Sequence, residues 1–301
     1  MNAQPESDVV TSETGELRRR HFVALSVAAG VATTALPAAA ANPAGRSVVE
    51  KNVTINTADG TCDAAYFHPA EGKHAAVLLW PDAFGLRPAM RDMGRRLAAA
   101  GYAVLVPNPF YRVGKAPFYD TAANVDFKDK ATFAKIGPLM GSIGASGAAE
   151  KDAAAFVAFL DAQPEVDKGR KIGTQGYCMG GALVLRTAAA VPARIGAGAS
   201  FHGGGLVTDK PDSPHTLAPK IKASLLIAIA GTDDAKQPEA KDKLREAFDA
   251  AHVPARVEVF AEKHGWCVPD MPQDDGAPIY NQADAERAWS ELLALYRTAL
   301  A

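Results

Sequence analysis

The sequence predicts an α/β fold: a mostly parallel central sheet with helices on both faces, entered through an N-terminal hairpin. Three observations predict it. Several strand-like runs are apolar throughout, they alternate with helical segments from Arg46 onward, and two strands at the start are joined by a tight turn. Strands buried on both faces lose the in–out alternation of a half-exposed sheet, so continuous runs imply cover on either side.

The elements follow in order. "SVVEKNVTINT" and "TCDAAYFHP" read as the hairpin, turning at Asp59-Gly60. "HAAVLLWP" reads as a buried strand, "PAMRDMGRRLAAAG" as a helix stopped by Gly101, and "YAVLVPNPF" as the next strand. A helix around "SGAAEKDAAAFVAFLDAQ", a short strand "KIGTQG" and a helix beginning just after Cys178 continue the rhythm. Strands "ARIGAGASF" and "ASLLIAIAG", a helix "PEAKDKLREAFDAA", a strand "ARVEVF" and a last helix "ADAERAWSELLALYRTAL" complete it. From Tyr111 to about Gly147 the pattern breaks into a segment rich in Gly, Pro, Lys and Asp. It is too long for an ordinary connection and is expected to lie over one end of the sheet. Ligands of open α/β sheets bind beyond the carboxyl ends of the strands, so an insertion there would shape a pocket.

Residues 1–41 read as a leader, leaving a single domain over residues 42–301. Three arginines, Arg18 to Arg20, precede an uncharged apolar run from Phe22 to about Leu36 and a tail of small residues. Arg19-Arg20-His21-Phe22-Val23 resembles the core of a twin-arginine export signal, which makes the export machinery an expected partner and the periplasm or exterior the expected location. The run is shorter than the roughly 20 apolar residues of a membrane span. With 32 basic and 34 acidic residues, the formal charge is −2, and bulk charge gives no reason to expect nucleic acid as a partner. Three cysteines, Cys62, Cys178 and Cys267, allow one pair and one free thiol, with the pairing open.

The chemistry centres on "GYCMG", residues 176 to 180. It has the form of a nucleophile elbow with cysteine in place of serine: a strand-to-helix turn whose glycines make room for a strained residue. The helix that follows favours a thiolate at its first turn. Downstream, Asp233 and Asp234 stand just past one apolar strand and His264 past the next, in the order nucleophile, acid, histidine. Either aspartate could orient the imidazole, and either could instead cap the helix that follows. The histidine would take the thiol proton, the thiolate would attack an ester carbonyl, and water would cleave the acyl-enzyme. Backbone N–H groups of Met179 and of Ala83 in "PDAFG" are the expected oxyanion donors. His202, His215, His264 and Cys267 match no tight metal-ligand spacing, so no metal is expected. "FHGGG" at 201 to 205 reads as a flexible loop near the pocket.

Together, "PDAFGLRPAMRDMGRRLAAAGYAVLVPNPFYR", "GYCMGG", "GTDD" and "EKHGW" resemble the dienelactone hydrolase (carboxymethylenebutenolidase-like) family of α/β-hydrolases, from about Val48 to the C-terminus. The resemblance implies the α/β-hydrolase fold, a Cys-Asp-His triad, no cofactor, and hydrolysis of a small lactone or activated ester. Its G-x-x-D-x-x-x-P spacing fits Gly231, Asp234 and Pro238, selecting Asp234 as the acid. In the family a glutamate in an early turn holds the resting thiol, and the matching residue here is Asp82. The family's pair of substrate-clamping arginines matches at Arg112 in "PFYR" but has no second member in "HGWCVPD". A less anionic substrate is therefore expected, and Trp266 suggests an apolar acyl or leaving group. Thioester or aryl ester hydrolysis by the same triad, and a binding protein on the same scaffold without catalysis, are the alternative readings.

Overall fold

The computed structural model describes residues 46–126 and 129–301. The leader lies outside the described residues. An eight-stranded sheet runs β1 (Val48–Thr57), β2 (Gly60–Pro69), β4 (Ala103–Pro107), β3 (Ala76–Trp80), β5 (Ile172–Tyr177), β6 (Ile195–Phe201), β7 (Ser224–Ala230), β8 (Ala255–Phe260) in spatial order. β1 and β2 form the expected hairpin and β2 meets β4 antiparallel, while every pairing from β4 to β8 is parallel.

The side-chain period of two explains the continuous apolar runs. In β3, Ala76, Leu78 and Trp80 enter the core on one face, while Val77 and Leu79 enter the core on the other. β4 divides likewise, with Ala103 and Leu105 opposed to Val104 and Val106. Helices α3 (Ala148–Ala162), α4 (Met179–Ala190) and α6 (Ala240–Ala250) cover the first face through Phe156, Val184, Leu244 and Phe248. Helices α1 (Pro88–Ala99) and α7 (Gln282–Ala299) cover the second through Met90, Leu97, Leu292 and Tyr296. Each fully buried side chain of this size contributes roughly 1.5–3 kcal/mol, so a polar residue in β3 or β4 would be costly. Local signals start the helices: Pro88 stands at the first position of α1, and the Asn281 side chain accepts the Asp284 N–H at the start of α7.

Three features depart from the sequence reading. The insertion carries its own helix, α2 (Lys130–Gly144), capped by Asp129 and containing Pro138, where the sequence reading assigned no element. Asp233 and Asp234 do not cap α6; they stand in the first turn of a short helix, α5 (Gly231–Lys236), that follows β7 directly. Beyond β8 a small hairpin, β9 (Gln273–Asp274) with β10 (Ala277–Pro278), borders the site.

All three cysteines are free thiols. Cys62 and Cys267 belong to the cores on opposite faces of the sheet, which keeps them apart. The Cys62 thiol sits 3.4 Å from the carbonyl oxygens of Asp63 and Asn108.

Candidate active site

Parallel strands place all their carboxyl ends along one edge, and the site is built there. β3 is followed by the turn holding Asp82 and Ala83, β5 by Cys178, β6 by His202, β7 by Asp233 and β8 by His264. Because β3, β5, β6, β7 and β8 are neighbours in that order, residues far apart in sequence become adjacent.

Cys178 has φ 53° and ψ −117°, the strained turn expected of an elbow. Its glycines are dictated by close approach. A Cβ on Gly176 would lie 2.1 Å from the Gly180 carbonyl oxygen, and one on Gly180 would lie 2.6 Å from the Trp80 oxygen. The second contact shows that the start of α4 packs directly against the end of β3, next to the Ala83 turn. Hydrogen bonds fix the cysteine's backbone: its N–H is 3.1 Å from both the Phe201 oxygen and His202 Nδ1, and its carbonyl accepts the Gly181 and Gly204 N–H groups.

His264 is held from two sides. Its N–H donates to Thr232 Oγ1 at 2.9 Å, and its Nδ1 lies 2.6 Å from Asp233 Oδ2. Burial by itself would push the imidazole pKa down. The charge of the neighbouring Cys178 sulfur, with the Asp233 hydrogen bond, outweighs burial and holds it up at about 10. Asp234, the acid chosen by spacing, instead pairs with Lys241 Nζ at 2.7 Å. α5 begins immediately after β7, so consecutive residues diverge by about 100° around its axis, and Asp233 is the one that faces the histidine.

The N–H groups expected to receive an oxyanion lie at the start of α4 and in the turn after β3. Met179 opens α4, so its N–H has no intrahelical acceptor. In the Ala83 turn, Phe84 N–H donates to the Asp82 carboxylate and Gly85 N–H to the Asp82 carbonyl, and the Ala83 N–H has no acceptor among the described residues.

Three expected contacts to thiol or substrate are corrected. Asp82 is 2 % exposed, and both its oxygens are gripped by Arg87, at 2.7 and 2.9 Å. Arg87 also holds Asp270 in a bidentate pair, at 2.8 and 2.7 Å. Burial raises the Asp82 pKa against the pull of Arg87; Asp270 is also buried in part, but Arg87 keeps its pKa below the usual range. The cluster thus ties the Ala83 turn to the loop after His264, and Asp82 has no hydrogen bond to Cys178 among the described residues. Arg112 is likewise occupied: it holds both oxygens of buried Asp152 at 2.8 Å and reaches Asp59 in the β1–β2 turn. It therefore braces the hairpin against α3. Trp266 is fully buried, stacked on Phe260 at 4.9 Å, and packs edge to face with His202 at 5.3 Å. It supports the histidine loop from beneath.

A cavity of about 910 Å³ opens beside His264 and Asp233, walled by Val125 and Phe133 of the insertion and by Lys236 and Ile279. The insertion thus shapes the pocket, as its position suggested. Sequence reasoning missed Arg87 and Asp270, and it weighed His202 only as a metal ligand and as part of a flexible loop. The signal for His202 was its place directly after β6; the glycine-rich "FHGGG" composition concealed that the residue is only 1 % exposed. Among the described residues no three His, Cys, Asp or Glu side chains converge as a metal-ligand set.

Comparison with known proteins agrees with this architecture. The model of the dienelactone hydrolase family matches residues 62–300. A Methylorubrum extorquens protein provisionally assigned as a carboxymethylenebutenolidase is 29% identical over 290 residues, covering 93% of this chain and 93% of its own. The carboxymethylenebutenolidase of Rhodococcus opacus is 28% identical over 209 residues, covering 68% of this chain and 76% of its own. The solved structure of m3DLH superposes with a TM-score of 0.69 at 24% identity, covering 84% of this chain and 99% of the other. The α/β-hydrolase architecture and a family match running almost from β2 to the end of α7 lead to one assignment: this chain belongs to the dienelactone hydrolase family, whose enzymes hydrolyse carboxylic esters and lactones.

Proposed function

We propose that the protein hydrolyses a neutral ester or lactone through an acyl-enzyme on Cys178, with His264 as acid and base and Asp233 as the residue that orients it. One observation carries this reading: a strained cysteine at the start of α4 is coupled to a histidine whose far nitrogen is held by a carboxylate at 2.6 Å. The thiolate attacks the carbonyl carbon, and the Ala83 and Met179 N–H groups receive the developing oxyanion. His264 then protonates the departing alkoxide, which in a lactone stays tethered to the acyl group. In the second half His264 takes a proton from water, the hydroxide attacks the thioester, and Cys178 leaves as thiolate.

The preference for a neutral substrate rests on Arg112, whose guanidinium is already engaged by Asp152 and Asp59. Without a free guanidinium, a substrate carboxylate loses its charge-assisted partner. Turnover of a neutral aryl ester and an anionic dienelactone by the mature protein and by Cys178→Ala tests both parts. Loss of turnover in the variant, with the neutral ester preferred by wild type, is expected. Equal turnover by the two proteins would contradict the mechanism, and preference for the dienelactone would contradict the substrate class.

Export through the twin-arginine route belongs to the same proposal, on the strength of Arg19-Arg20-His21-Phe22 and the small-residue tail. Amino-terminal sequencing of the exported protein should begin near residue 42, and an intact leader would contradict it.

A further inference from the structure

We propose that His202 is a positioning residue for the nucleophile and its acid–base partner, acting as a permanently neutral imidazole. The inference rests on the Cys178–His264–Asp233 reading and extends it to a fourth side chain.

His202 touches the frames of both reacting groups. Its Nδ1 shares the Cys178 N–H with the Phe201 carbonyl, each at 3.1 Å, and its ring centroid lies 4.7 Å from that of His264 in an edge-to-face arrangement. The residue is held firmly: its own N–H donates to the Ala228 carbonyl at 2.7 Å, its φ is 40°, and its ring is packed edge to face with Trp266. Since Nδ1 accepts a hydrogen bond, the single proton of the neutral ring resides on Nε2. Nε2 is buried and has no hydrogen-bond partner among the described residues. A group so enclosed, packed against the His264 ring, cannot take a second proton without burying an unpaired charge. His202 therefore supplies an acceptor to the elbow and a flat wall to the His264 ring without competing for the proton that His264 must carry.

The test is alkylation of Cys178 by iodoacetamide, followed by mass spectrometry of the peptide containing it, with kcat and KM for an aryl ester. His202→Phe keeps the flat ring and removes the acceptor; His202→Asn restores an acceptor. His202→Phe should slow both alkylation and kcat about tenfold with little change in KM, and His202→Asn should recover most of the loss. Equal alkylation rates and equal kcat in wild type and His202→Phe would overturn the positioning role, as would failure of His202→Asn to recover anything while folded. An unreactive Cys178 in wild type would instead sink the triad reading beneath it. Nitrogen NMR of the histidine-labelled wild type covers the case in which a variant does not fold. His202 should remain the neutral Nε2–H form from pH 5 to 8, about the span in which an ordinary histidine titrates. A protonated ring or a proton on Nδ1 would overturn the proposal.

Discussion

Asp233 Oδ2 lies 2.6 Å from His264 Nδ1, while its neighbour Asp234 turns away to Lys241. Two adjacent carboxylates thus have separate duties, and substitution separates them. Asp233→Asn should reduce kcat by a factor on the order of 10²–10⁴, since the imidazole loses its orienting partner. Asp234→Asn should leave kcat within about threefold and cost at most about 1 kcal/mol, because its ion pair with Lys241 is partly solvated. Kinetics of the two variants side by side decide the matter; a larger loss for Asp234→Asn would return the acid to the position that family spacing selects.

The His264 pKa carries a stability prediction. It is raised in the folded protein to about 10 from the ordinary 6.5. The stabilising contribution is therefore complete below about pH 6.5 and is lost as pH rises towards 10. Cys178→Ala removes the largest influence that raises it. NMR titration of His264 should give a midpoint near 10 in wild type and a lower one in Cys178→Ala. Coincident midpoints would show that the thiolate does not sustain the imidazolium.

Arg87 joins Asp82 to Asp270 inside the protein, so replacing it leaves two carboxylates without their shared cation. Arg87→Met should destabilise the fold by about 3–5 kcal/mol in urea titration, since breaking a buried ion cluster strands its charges. It should also lower kcat, because the Ala83 turn and the His264 loop lose their common anchor. A loss under about 1 kcal/mol would mean that the cluster is dispensable.

Two glycine replacements should act in opposite directions. Gly176→Ala forces a Cβ to 2.1 Å from the Gly180 oxygen and should abolish activity or folding. Gly141→Ala, in the exposed part of α2 with nothing within 4 Å of its Cβ, should stabilise the helix by up to about 1 kcal/mol. Thermal melts of both variants read the contrast.

The core of the fold was legible because β3, β4 and β7 are buried on both faces and the sequence marks that with near-continuous apolar runs. The elbow was legible because Gly176 and Gly180 each answer to a backbone contact. What stayed hidden depends on direction in space. Asp233 and Asp234 are chemically identical and adjacent, so the choice turns on the unforeseen start of α5 at Gly231. Arg112 and Asp82 matched family positions, but position in a motif does not reveal that Asp152 and Arg87 already hold them. α2 was missed because its Gly-Pro-rich sequence, "KIGPLMGSIG", lacks the propensity of a helix and relies on Ile136, Leu139 and Ile143 packing inward.

The most direct measurement is capture of the acyl-enzyme. The mature protein is mixed with an activated aryl acetate, quenched in acid, digested, and the peptide containing Cys178 is weighed by mass spectrometry. An acetyl group on Cys178 in wild type, with turnover lost in Cys178→Ala by a factor on the order of 10³ or more, is the expected result. Steady turnover with no adduct at Cys178, matched by an equally active Cys178→Ala, would contradict the nucleophile and with it the mechanism.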